Sequence, residues 1–450
     1  MTIHPIEKRY GRPEVRQIFD EEYHLQKMLD VEAALARAQA KVGDIPQNAA
    51  AEITRKANTS YVKTDRVKEI EEEINHDVMA VVKALTEQCS GDAGKYIHFG
   101  ATSNDITDTA LALQIKKFTE FLGKDLEKLK QTLMSLASKN KQLVCIGRTH
   151  GQHSVPTTYG LKFAIWAVEV QRHMDRLGEC EKRILVGQMT GAVGTQAALG
   201  KNAAAIQKYV MRDLNLAPVL VSNQVIQRDR HAEFLLDLAL MAESLNKIAT
   251  EIRNLQRTEI GEVSEGFGTK QVGSSTMPHK RNPIYAERIC GLSRVVKANA
   301  MASLDNIPLW HERDLTNSSC ERIIIPESCI LIDYMMVLCI DLLKNLVFDH
   351  GNIERNLHMS KGRIMAESVM ILLVKKGVGR QEAHELIRTC SMKSYERDVP
   401  LKDVLMKNAS VMKHVTAAEL DAALSPEKYI GTAVQQVEAV LKELGQAQRI

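Results

Sequence analysis

The chain has 450 residues, of which 44% are hydrophobic, 26% are charged and 4% are aromatic, and its formal net charge is +3. This length exceeds one ordinary hydrophobic core and predicts two or three domains. The small net charge argues against general attraction to nucleic acid or to an anionic membrane, so any anion site must be local. Scarce aromatic and proline residues favour long helices over sandwiches and barrels.

The cysteines and the chain start indicate the compartment. The eight cysteines contain no Cys-x-x-Cys pair, and several fall in apolar helical stretches, which predicts reduced core thiols. Residues 1–9 lack the apolar stretch of a secretory signal, so we expect a cytoplasmic protein. The most apolar segment, 329–348, contains Asp333, Asp341 and Lys344, which predicts a buried core helix and not a membrane span.

Apolar residues at steps of three and four predict helices along the chain. Three of these patterns are very long and carry the spacing of a bundle seam. No alternating strand pattern, internal repeat or low-complexity tract is visible, so the predicted class is all-α with a central long-helix bundle. The predicted helices, before shorter ones at the end of the chain, cover residues 12–42, 63–85, 107–136, 159–185, 235–255, 283–304 and 320–346.

Two turns interrupt the helical pattern and predict domain boundaries. The first is Gly-Asp-Ala-Gly at 91–94, and the second is Asp-His-Gly-Asn at 349–352. We therefore expect an amino-terminal helical domain at 1–97, a central long-helix bundle with the chemistry-bearing loops at 98–348, and a carboxy-terminal helical domain at 349–450.

The loop HFGATSND at 98–105 is the first with polar side chains in a suggestive order. Thr102 and Ser103 offer hydroxyl donors for a substrate carboxylate. Serine and threonine before a helix are also ordinary helix caps, and the two roles are compatible.

The loop GRTHGQH at 147–153 carries two histidines three residues apart. Gly151 disfavours a rigid helical pair and no third ligand stands out, which argues against a metal site. A histidine that gives or takes a proton near neutral pH is the better interpretation for His150. The structural alternative is a histidine that satisfies a buried hydrogen bond.

The segment GSSTMPHKRNP at 273–283 combines glycine, hydroxyls, cations and prolines. Glycines at 266, 268 and 273 permit a lid over a ligand, and Pro283 suits the first turn of a new helix. The free N–H groups of that helix end would provide an anion site beside the loop. The alternative is an ordinary basic surface loop.

The segment WHERDLTNSSCER at 310–322 offers two guanidinium groups and a serine. Arg313, Ser318 and Arg322 would form a grip on phosphate or carboxylate, because guanidinium presents two parallel donors. A helix cap at Ser318 or Ser319 with surface ion pairs is the alternative.

The segments HFGATSND, GRTHGQHSVPTT and GSSTMPHKRNP, in this order, resemble the three signature segments of the fumarase/aspartase superfamily. The strings RYGRPE at 9–14, HDV at 76–78, QVIQRDRH at 224–231 and WHERDLTNSSCER resemble the adenylosuccinate lyase family within it. The resemblance implies a purine-synthesis enzyme that eliminates fumarate from adenylosuccinate and from succinylaminoimidazole carboxamide ribotide. It also implies a homotetramer with sites shared between subunits, and neither cofactor nor metal.

The same resemblance assigns roles to individual residues. His150 is implied as the general acid and Ser274 as the base, in a loop whose closure would stabilise its alkoxide. Asn75 departs from the family, where arginine commonly precedes His76, and this puts a substrate contact in doubt. The residues implied in substrate binding are Arg9, Tyr10, His76, Asp77, Thr102, Ser103, Thr149, Gln224, Lys280, Asn282, Arg313, Ser318 and Arg322.

Other interpretations remain at this point. Argininosuccinate lyase, fumarase and carboxymuconate cycloisomerase share the three segments, although fumarase typically has glycine in place of His279. A non-catalytic relative is a second class, against which the intact Ser274, His150 and Lys280 argue. A helical nucleic-acid or scaffold protein is a third, disfavoured by the near-neutral charge.

Overall fold

The computed structural model describes residues 4–268, 270–271 and 273–446, and helices dominate these residues, so the all-α prediction is confirmed. The α-helices of the described residues are α1 (Pro13–Ile18), α2 (Glu21–Val42), α3 (Gln47–Lys56), α4 (Thr64–Ile74), α5 (Asp77–Gln88), α6 (Ser103–Lys139), α7 (Tyr159–Ile184), α8 (Ala203–Asp213), α9 (Asp229–Leu255), α10 (Ile284–Leu304), α11 (Thr316–Lys344), α12 (His350–His358), α13 (Ala366–Lys375), α14 (Arg380–Glu396), α15 (Leu401–Met406), α16 (Ala409–Met412), α17 (Ala417–Ala423) and α18 (Ala433–Gln446).

The long helices follow the apolar spacing of the sequence. Helix α6 has 37 residues, and α7, α9 and α11 have 26, 27 and 29 residues. The seam of α6 is buried at Phe118, Leu122, Leu126 and Leu129, each at most 1% exposed. A helix that buries one apolar stripe along its length is stabilised mainly by that packing. The predicted bounds of these helices agree with the structure to within a few residues.

Two predicted helices are wrong because each is broken in two. Phe19 and Asp20 separate α1 from α2, and the Asp20 carboxylate caps α2 by accepting a hydrogen bond from the Tyr23 N–H. Asn75 and His76 separate α4 from α5. Asn75 takes a left-handed conformation (φ 51°, ψ 41°), which asparagine tolerates better than most residues. The apolar period continues across both breaks and therefore does not reveal them.

Short strands are also present, and the sequence did not predict them. The longest pair forms an antiparallel hairpin in which Thr149 pairs with Gln152, which leaves a two-residue turn. The segment predicted as a loop at 147–153 is therefore the end of a β-hairpin. The strands are β1 (Val144–Thr149), β2 (Gln152–Thr158), β3 (Val186–Gly187), β4 (Ala217–Pro218), β5 (Val263–Ser264) and β6 (Val347–Phe348).

Two compact units make up the chain, and several long helices contribute residues to both. The first unit comprises Met1–Glu127, Arg172–Asn246 and Ile289–Leu338, and the second comprises Lys128–Gln171, Lys247–Arg288 and Cys339–Ile450. A large core in the first unit joins α2–α6 to α8. A core in the second unit lies among α13–α17. The division into three domains stays a prediction.

Helix α11 is the one helix of the described residues that is long and apolar enough to cross a membrane by length and composition. Two thirds of its most apolar window (67%) is buried within the fold. Met335, Cys339 and Leu343 are fully buried there. This is the burial expected of a core helix in a soluble protein.

A buried charged pair anchors the loop before α6. His98 donates to the Glu32 carboxylate through its backbone N–H at 3.1 Å, and its Nδ1 lies 2.7 Å from that carboxylate. Glu32 is only 2% exposed. Burial opposes the charge of His98, but the hydrogen bond and the charge of Glu32 outweigh burial and raise the pKa of His98. The pair therefore fixes the start of the loop and favours the protonated form of the imidazole.

Asp105 fixes the other end of that loop. Its carboxylate accepts hydrogen bonds from the backbone N–H groups of Thr190 (2.8 Å), Gly191 (3.1 Å) and Thr102 (3.0 Å). A fully buried carboxylate needs such donors because burial without them is costly. The backbone around Thr102 and Ser103 is consequently held in one position.

We predict that Gly160→Ala destabilises the protein by about 1–3 kcal/mol, because overpacking against backbone cannot relax easily. A Cβ at Gly160 would lie 2.4 Å from the Cα of Lys141 and 2.7 Å from the carbonyl oxygen of Ala137. Gly178 on the same helix is the matched control, since no atom lies within 4 Å of its Cβ position. Gly178→Ala should stabilise by roughly 0.5–1 kcal/mol. Calorimetric melting of the two variants tests this, and equal shifts would contradict it.

We predict that Glu32→Gln lowers the melting temperature more at pH 6 than at pH 9. Because the pKa of His98 is raised in the folded protein, the charged pair contributes fully to the free energy of unfolding below about pH 6.5, the ordinary pKa of histidine. That contribution is lost as the pH rises through the folded-state pKa of His98. Glu69→Gln, which removes an exposed pair with Arg66, is the control and should cost less than about 1 kcal/mol. A Glu32→Gln effect independent of pH would refute the charged pair.

Candidate active site

A cavity of ≈ 630 Å³ in the first unit brings together several predicted site residues. Its wall is formed by the α1–α2 junction, the α4–α5 junction, the first turns of α6 and the segment before and within α11. Such a concave surface with convergent polar groups is typical of a small-molecule site. The predicted residues on its wall are His76, Asp77, Ser103, Arg313, Ser318 and Arg322.

The three residues predicted as an anion grip, Arg313, Ser318 and Arg322, lie on this wall, and the two arginines bond to protein groups. Arg322 forms an ion pair with Asp77. Burial opposes the ionisation of Asp77, but the hydrogen bond from Arg322 outweighs it and lowers the pKa of this carboxyl. Arg313 donates to the side-chain oxygen of Gln224, another predicted residue, at 2.7 Å. Helix α11 begins at Thr316, so Ser318 and Ser319 lie within its first turn and do not cap it, and the Thr316 N–H donates to the Asp314 carboxylate at 2.8 Å.

The break between α4 and α5 places His76 and Asp77 at the cavity. His76 is the N-cap of α5, and its Nδ1 accepts a hydrogen bond from the Met79 N–H at 3.3 Å. Asn75, also on the wall, provides the left-handed residue that turns the chain between the helices. Asn75, the position at which the sequence departs from the family that it resembles, therefore has a backbone role that its side chain suits.

Buried charges beneath this wall form the floor of the cavity. Arg228 binds the Asp108 carboxylate with two hydrogen bonds of 2.8 and 3.0 Å. Its Nε lies 3.0 Å from Glu321, which is close enough for charge attraction although the angle excludes a hydrogen bond. Neighbouring His231 is neutral because burial, and then the charge of Arg228, lower its pKa to about 3. Removing one member would leave a buried charge without its partner.

Arg9 and Tyr10 are not on the cavity wall. Arg9 Nε lies 3.3 Å from the Tyr10 hydroxyl, and the Tyr10 ring lies 5.4 Å from that of Tyr334. The segment is anchored by Arg12, which forms ion pairs with Asp125 and Asp333. The structure thus holds Tyr10 against α11, with Arg9 beside it.

His150 lies at the tip of the hairpin in the second unit. His150 and Gly151 are the two turn residues and both have positive φ, 54° and 74°. Two-residue hairpins favour such turns, but a histidine in this conformation is uncommon and is retained where the surroundings require it. Thr149 and His150 are both exposed at this tip.

A buried carboxylate holds the hairpin. Glu262 accepts hydrogen bonds from Arg148 (2.5 Å), the Tyr159 hydroxyl (2.5 Å) and the Asn356 amide (2.8 Å). Burial opposes its charge, but these donors, Arg148 first, outweigh burial and lower the pKa of Glu262. Arg148 stands two residues before His150, so this network fixes the base of the turn.

The loop 273–283 closes on itself in the second unit. Ser274 Oγ accepts hydrogen bonds from the backbone N–H groups of Thr276 (3.3 Å) and Met277 (3.1 Å). Asn282 donates from its amide to the Gly273 carbonyl at 2.9 Å, which ties the two ends of the loop. A Cβ at Gly273 would lie 2.0 Å from the Lys280 carbonyl oxygen, so this closure requires glycine.

The predicted anion site at the start of α10 is wrong, because a protein carboxylate fills it. Glu265 accepts hydrogen bonds from the N–H groups of Tyr285 (3.2 Å) and Ala286 (2.7 Å). The same partial positive charge that would attract a substrate anion stabilises Glu265. Gln256 links this cap to the loop by donating to the Arg281 carbonyl at 2.9 Å.

The sequence did not identify the buried acids that position these loops. Their signal in the sequence is weak: Glu32 stands within an apolar run, Asp105 ends the predicted loop 98–105, and Glu262 and Glu265 precede the predicted loop 273–283. The hairpin residues and the loop 273–283 form separate groups without a hydrogen bond between them in the described ranges. Within those ranges, no group of three or more His, Cys, Asp and Glu residues is arranged to hold a metal ion.

Two models of known protein families match this chain, and the first match contains the three loop segments described above. A family model described as Lyase matches residues 7–297, and a second, described as Adenylosuccinate lyase C-terminus, matches residues 362–440. The first match contains HFGATSND, GRTHGQH and GSSTMPHKRNP. The second covers most of the helices after α12.

Similar proteins share nearly the whole chain. Adenylosuccinate lyase from Methanocaldococcus jannaschii is 57% identical over 445 residues, which cover 99% of this chain and 96% of the relative. Adenylosuccinate lyase from Pyrococcus abyssi is 56% identical and covers 100% of this chain and 99% of its own length.

Solved structures show the same fold. The 3-carboxy-cis,cis-muconate lactonizing enzyme from Pseudomonas putida has a TM-score of 0.89 at 33% identity, covering 97% of this chain and 98% of its own. A fumarate lyase from Mesorhizobium sp. BNC1 has a TM-score of 0.90 at 32% identity, and the match covers 98% of this chain and 100% of the fumarate lyase. The fold is therefore common to several activities. The two full-length relatives with 57% and 56% identity are both adenylosuccinate lyases. The chain belongs to the adenylosuccinate lyase family of the fumarase/aspartase superfamily.

Proposed function

We propose that this chain eliminates fumarate from adenylosuccinate to give AMP, and from succinylaminoimidazole carboxamide ribotide to give AICAR, in purine nucleotide biosynthesis. The observation that carries the proposal is the 57% identity to an adenylosuccinate lyase across 99% of the chain. The arginine-lined cavity of the first unit supports a nucleotide substrate, because phosphate recognition favours planar, doubly donating guanidinium groups.

Ser274 is the proposed base. Its alkoxide takes the proton from the succinyl carbon beside a carboxylate, and the electron pair passes through an aci-carboxylate intermediate. The hydrogen bonds from Thr276 and Met277 support this role, because two backbone N–H groups directed at Oγ stabilise a negative oxygen. Closure of the loop strengthens these bonds by excluding water.

His150 is the proposed general acid. As the carbon–nitrogen bond breaks and the double bond of fumarate forms, its imidazolium gives the leaving nitrogen a proton. The fixed hairpin supports this role, since proton transfer needs the ring within hydrogen-bond reach of that nitrogen. His76, which caps α5 at the cavity, is proposed to support the site.

The two ends of the substrate are assigned to separate groups of residues. Lys280 and Asn282 are proposed to stabilise the doubly negative intermediate, and Thr102, Ser103 and Thr149 to bind the succinyl carboxylates. At the nucleotide end, the phosphate is proposed to replace Asp77 as the partner of Arg322. The other residues proposed for the nucleotide are Arg9, Tyr10, Gln224, Arg313 and Ser318.

The rival activities share the fold but have less support. The muconate-type enzymes among the structural matches are 33% and 30% identical, well below the adenylosuccinate lyases. A non-catalytic role is disfavoured because Ser274, His150 and Lys280 are all retained.

We further propose a cytoplasmic homotetramer with three helical domains and sites shared between subunits. Large apolar side chains on the outer faces of long helices support association, including Ile165 (55% exposed), Leu240 (50%) and Met301 (62%). Closed symmetric assembly would bury them.

We predict that Ser274→Ala and His150→Ala each lower kcat at least about 100-fold, because general acid or base catalysis contributes 10²–10⁴-fold. The ultraviolet absorbance change as adenylosuccinate becomes AMP and fumarate measures turnover. Ser275→Ala beside the base is the matched control and should stay within a few-fold of wild type. Full turnover by Ser274→Ala would remove this serine as the base.

We predict that mixtures of refolded Ser274→Ala and His150→Ala regain activity if the two residues of one site come from different subunits. A mixed tetramer then contains some sites with both residues intact. The same assay on mixtures and on each variant alone tests this, with light scattering to confirm the tetramer mass. Activity no higher than the sum of the separate variants would refute this sharing.

A further inference from the structure

His24 on α2 lies on the wall of the cavity in the first unit and has no role in the elimination proposed above. Only part of its surface is exposed. Its Nδ1 lies 2.8 Å from the side-chain oxygen of Gln114. The other ring nitrogen, Nε2, has no hydrogen-bond partner among the described residues, and it is not one of the buried unpartnered atoms, so it retains accessible surface.

A chain of hydrogen bonds fixes the tautomer of His24. Gln114 is 3% exposed, and its amide nitrogen donates to the Ile18 carbonyl at 2.7 Å. The amide oxygen of Gln114 must therefore face His24, and an oxygen can only accept. Nδ1 consequently carries the hydrogen, and Nε2 presents its lone pair.

The surroundings keep this imidazole neutral. Burial is the main cause that lowers the pKa of His24, and the charge of Arg322 acts in the same direction. The hydrogen bond with Gln114 and the charge of Asp77 oppose these effects without overcoming them. At neutral pH the cavity thus contains a hydrogen-bond acceptor next to the Arg322–Asp77 pair.

An acceptor at this position selects the ligand group that it can bind. Phosphate dianions and carboxylates offer only lone pairs to Nε2, so neither pairs with it. Arg322, on the same wall, is the residue proposed to pair with the phosphate. The part of a nucleotide next to its phosphate that carries O–H donors is the ribose.

We propose that His24 is a specificity-determining residue that accepts a hydrogen bond from a ribose hydroxyl, so that the site prefers ribonucleotides to deoxyribonucleotides. This inference rests on the proposed function, which supplies the nucleotide. A site built to bind a hydroxyl rejects the analogue without it, because the site's polar group is left unpaired.

Calorimetric binding of AMP, 2′-deoxy-AMP and 3′-deoxy-AMP to the full-length protein tests the proposal. We expect wild type to bind one deoxy analogue roughly 2- to 12-fold more weakly than AMP, the range of one neutral hydrogen bond. His24→Phe keeps an aromatic ring without the acceptor nitrogen. This variant should bind AMP more weakly than wild type by a similar factor, and it should bind that deoxy analogue as tightly as it binds AMP. His24→Gln restores an acceptor oxygen and should recover part of the difference.

The controls separate this inference from the proposed function. Melting curves establish that each variant is folded. The role of His24 is wrong, and the proposed function stands, if wild type binds AMP and binds both deoxy analogues as tightly as AMP. The same holds if His24→Phe shows the same loss of affinity for the deoxy analogue as wild type. If wild type neither binds AMP nor converts adenylosuccinate, both fail together.

Discussion

Buried carboxylates that accept hydrogen bonds from backbone or side-chain donors hold the chemistry-bearing segments of this protein in place. Glu32 and Asp105 anchor the loop before α6, and Glu262 anchors the hairpin that carries His150. Glu265 caps α10 directly after the loop that carries Ser274. A buried charge is tolerated only when donors surround it, so each acid defines one backbone arrangement.

This arrangement explains how a helical scaffold carries irregular loops without losing their geometry. Long helices bury continuous apolar seams and form rigid supports, whereas the loops bury little apolar surface of their own. Fixed carboxylates compensate for that lack. The loop around Ser274 is closed instead by Asn282, whose amide bonds to the Gly273 carbonyl, and none of its residues at 273–283 is buried. A loop of that kind suits opening for substrate and closing for reaction.

Much of the fold could be predicted because helices repeat their apolar residues locally. The bounds of α6, α7 and α9 follow from that period. The break at Asn75 could not be predicted, since the period continues through it and only a left-handed residue turns the chain. The hairpin was missed because its strands are short and do not alternate cleanly between apolar and polar residues.

The site was predicted in part for the same physical reason. Residues in contiguous motifs, such as Arg313, Ser318 and Arg322, were found because their spacing is visible along the chain. Partners far apart in sequence were not: Glu32 lies 66 residues before His98, and Glu262 lies 114 residues after Arg148. The prediction of an anion site at the start of α10 was wrong for the same reason, because Glu265, which occupies it, lies 20 residues before Tyr285 in the sequence.

The proposed function depends most on which substrate the site accepts, because this fold serves several reactions. The most direct measurement offers wild-type protein adenylosuccinate, argininosuccinate and 3-carboxy-cis,cis-muconate separately at equal concentration and follows the products. We expect fumarate and AMP from adenylosuccinate and no turnover of the other two compounds. Turnover of argininosuccinate or of the muconate, with adenylosuccinate left intact, would contradict it.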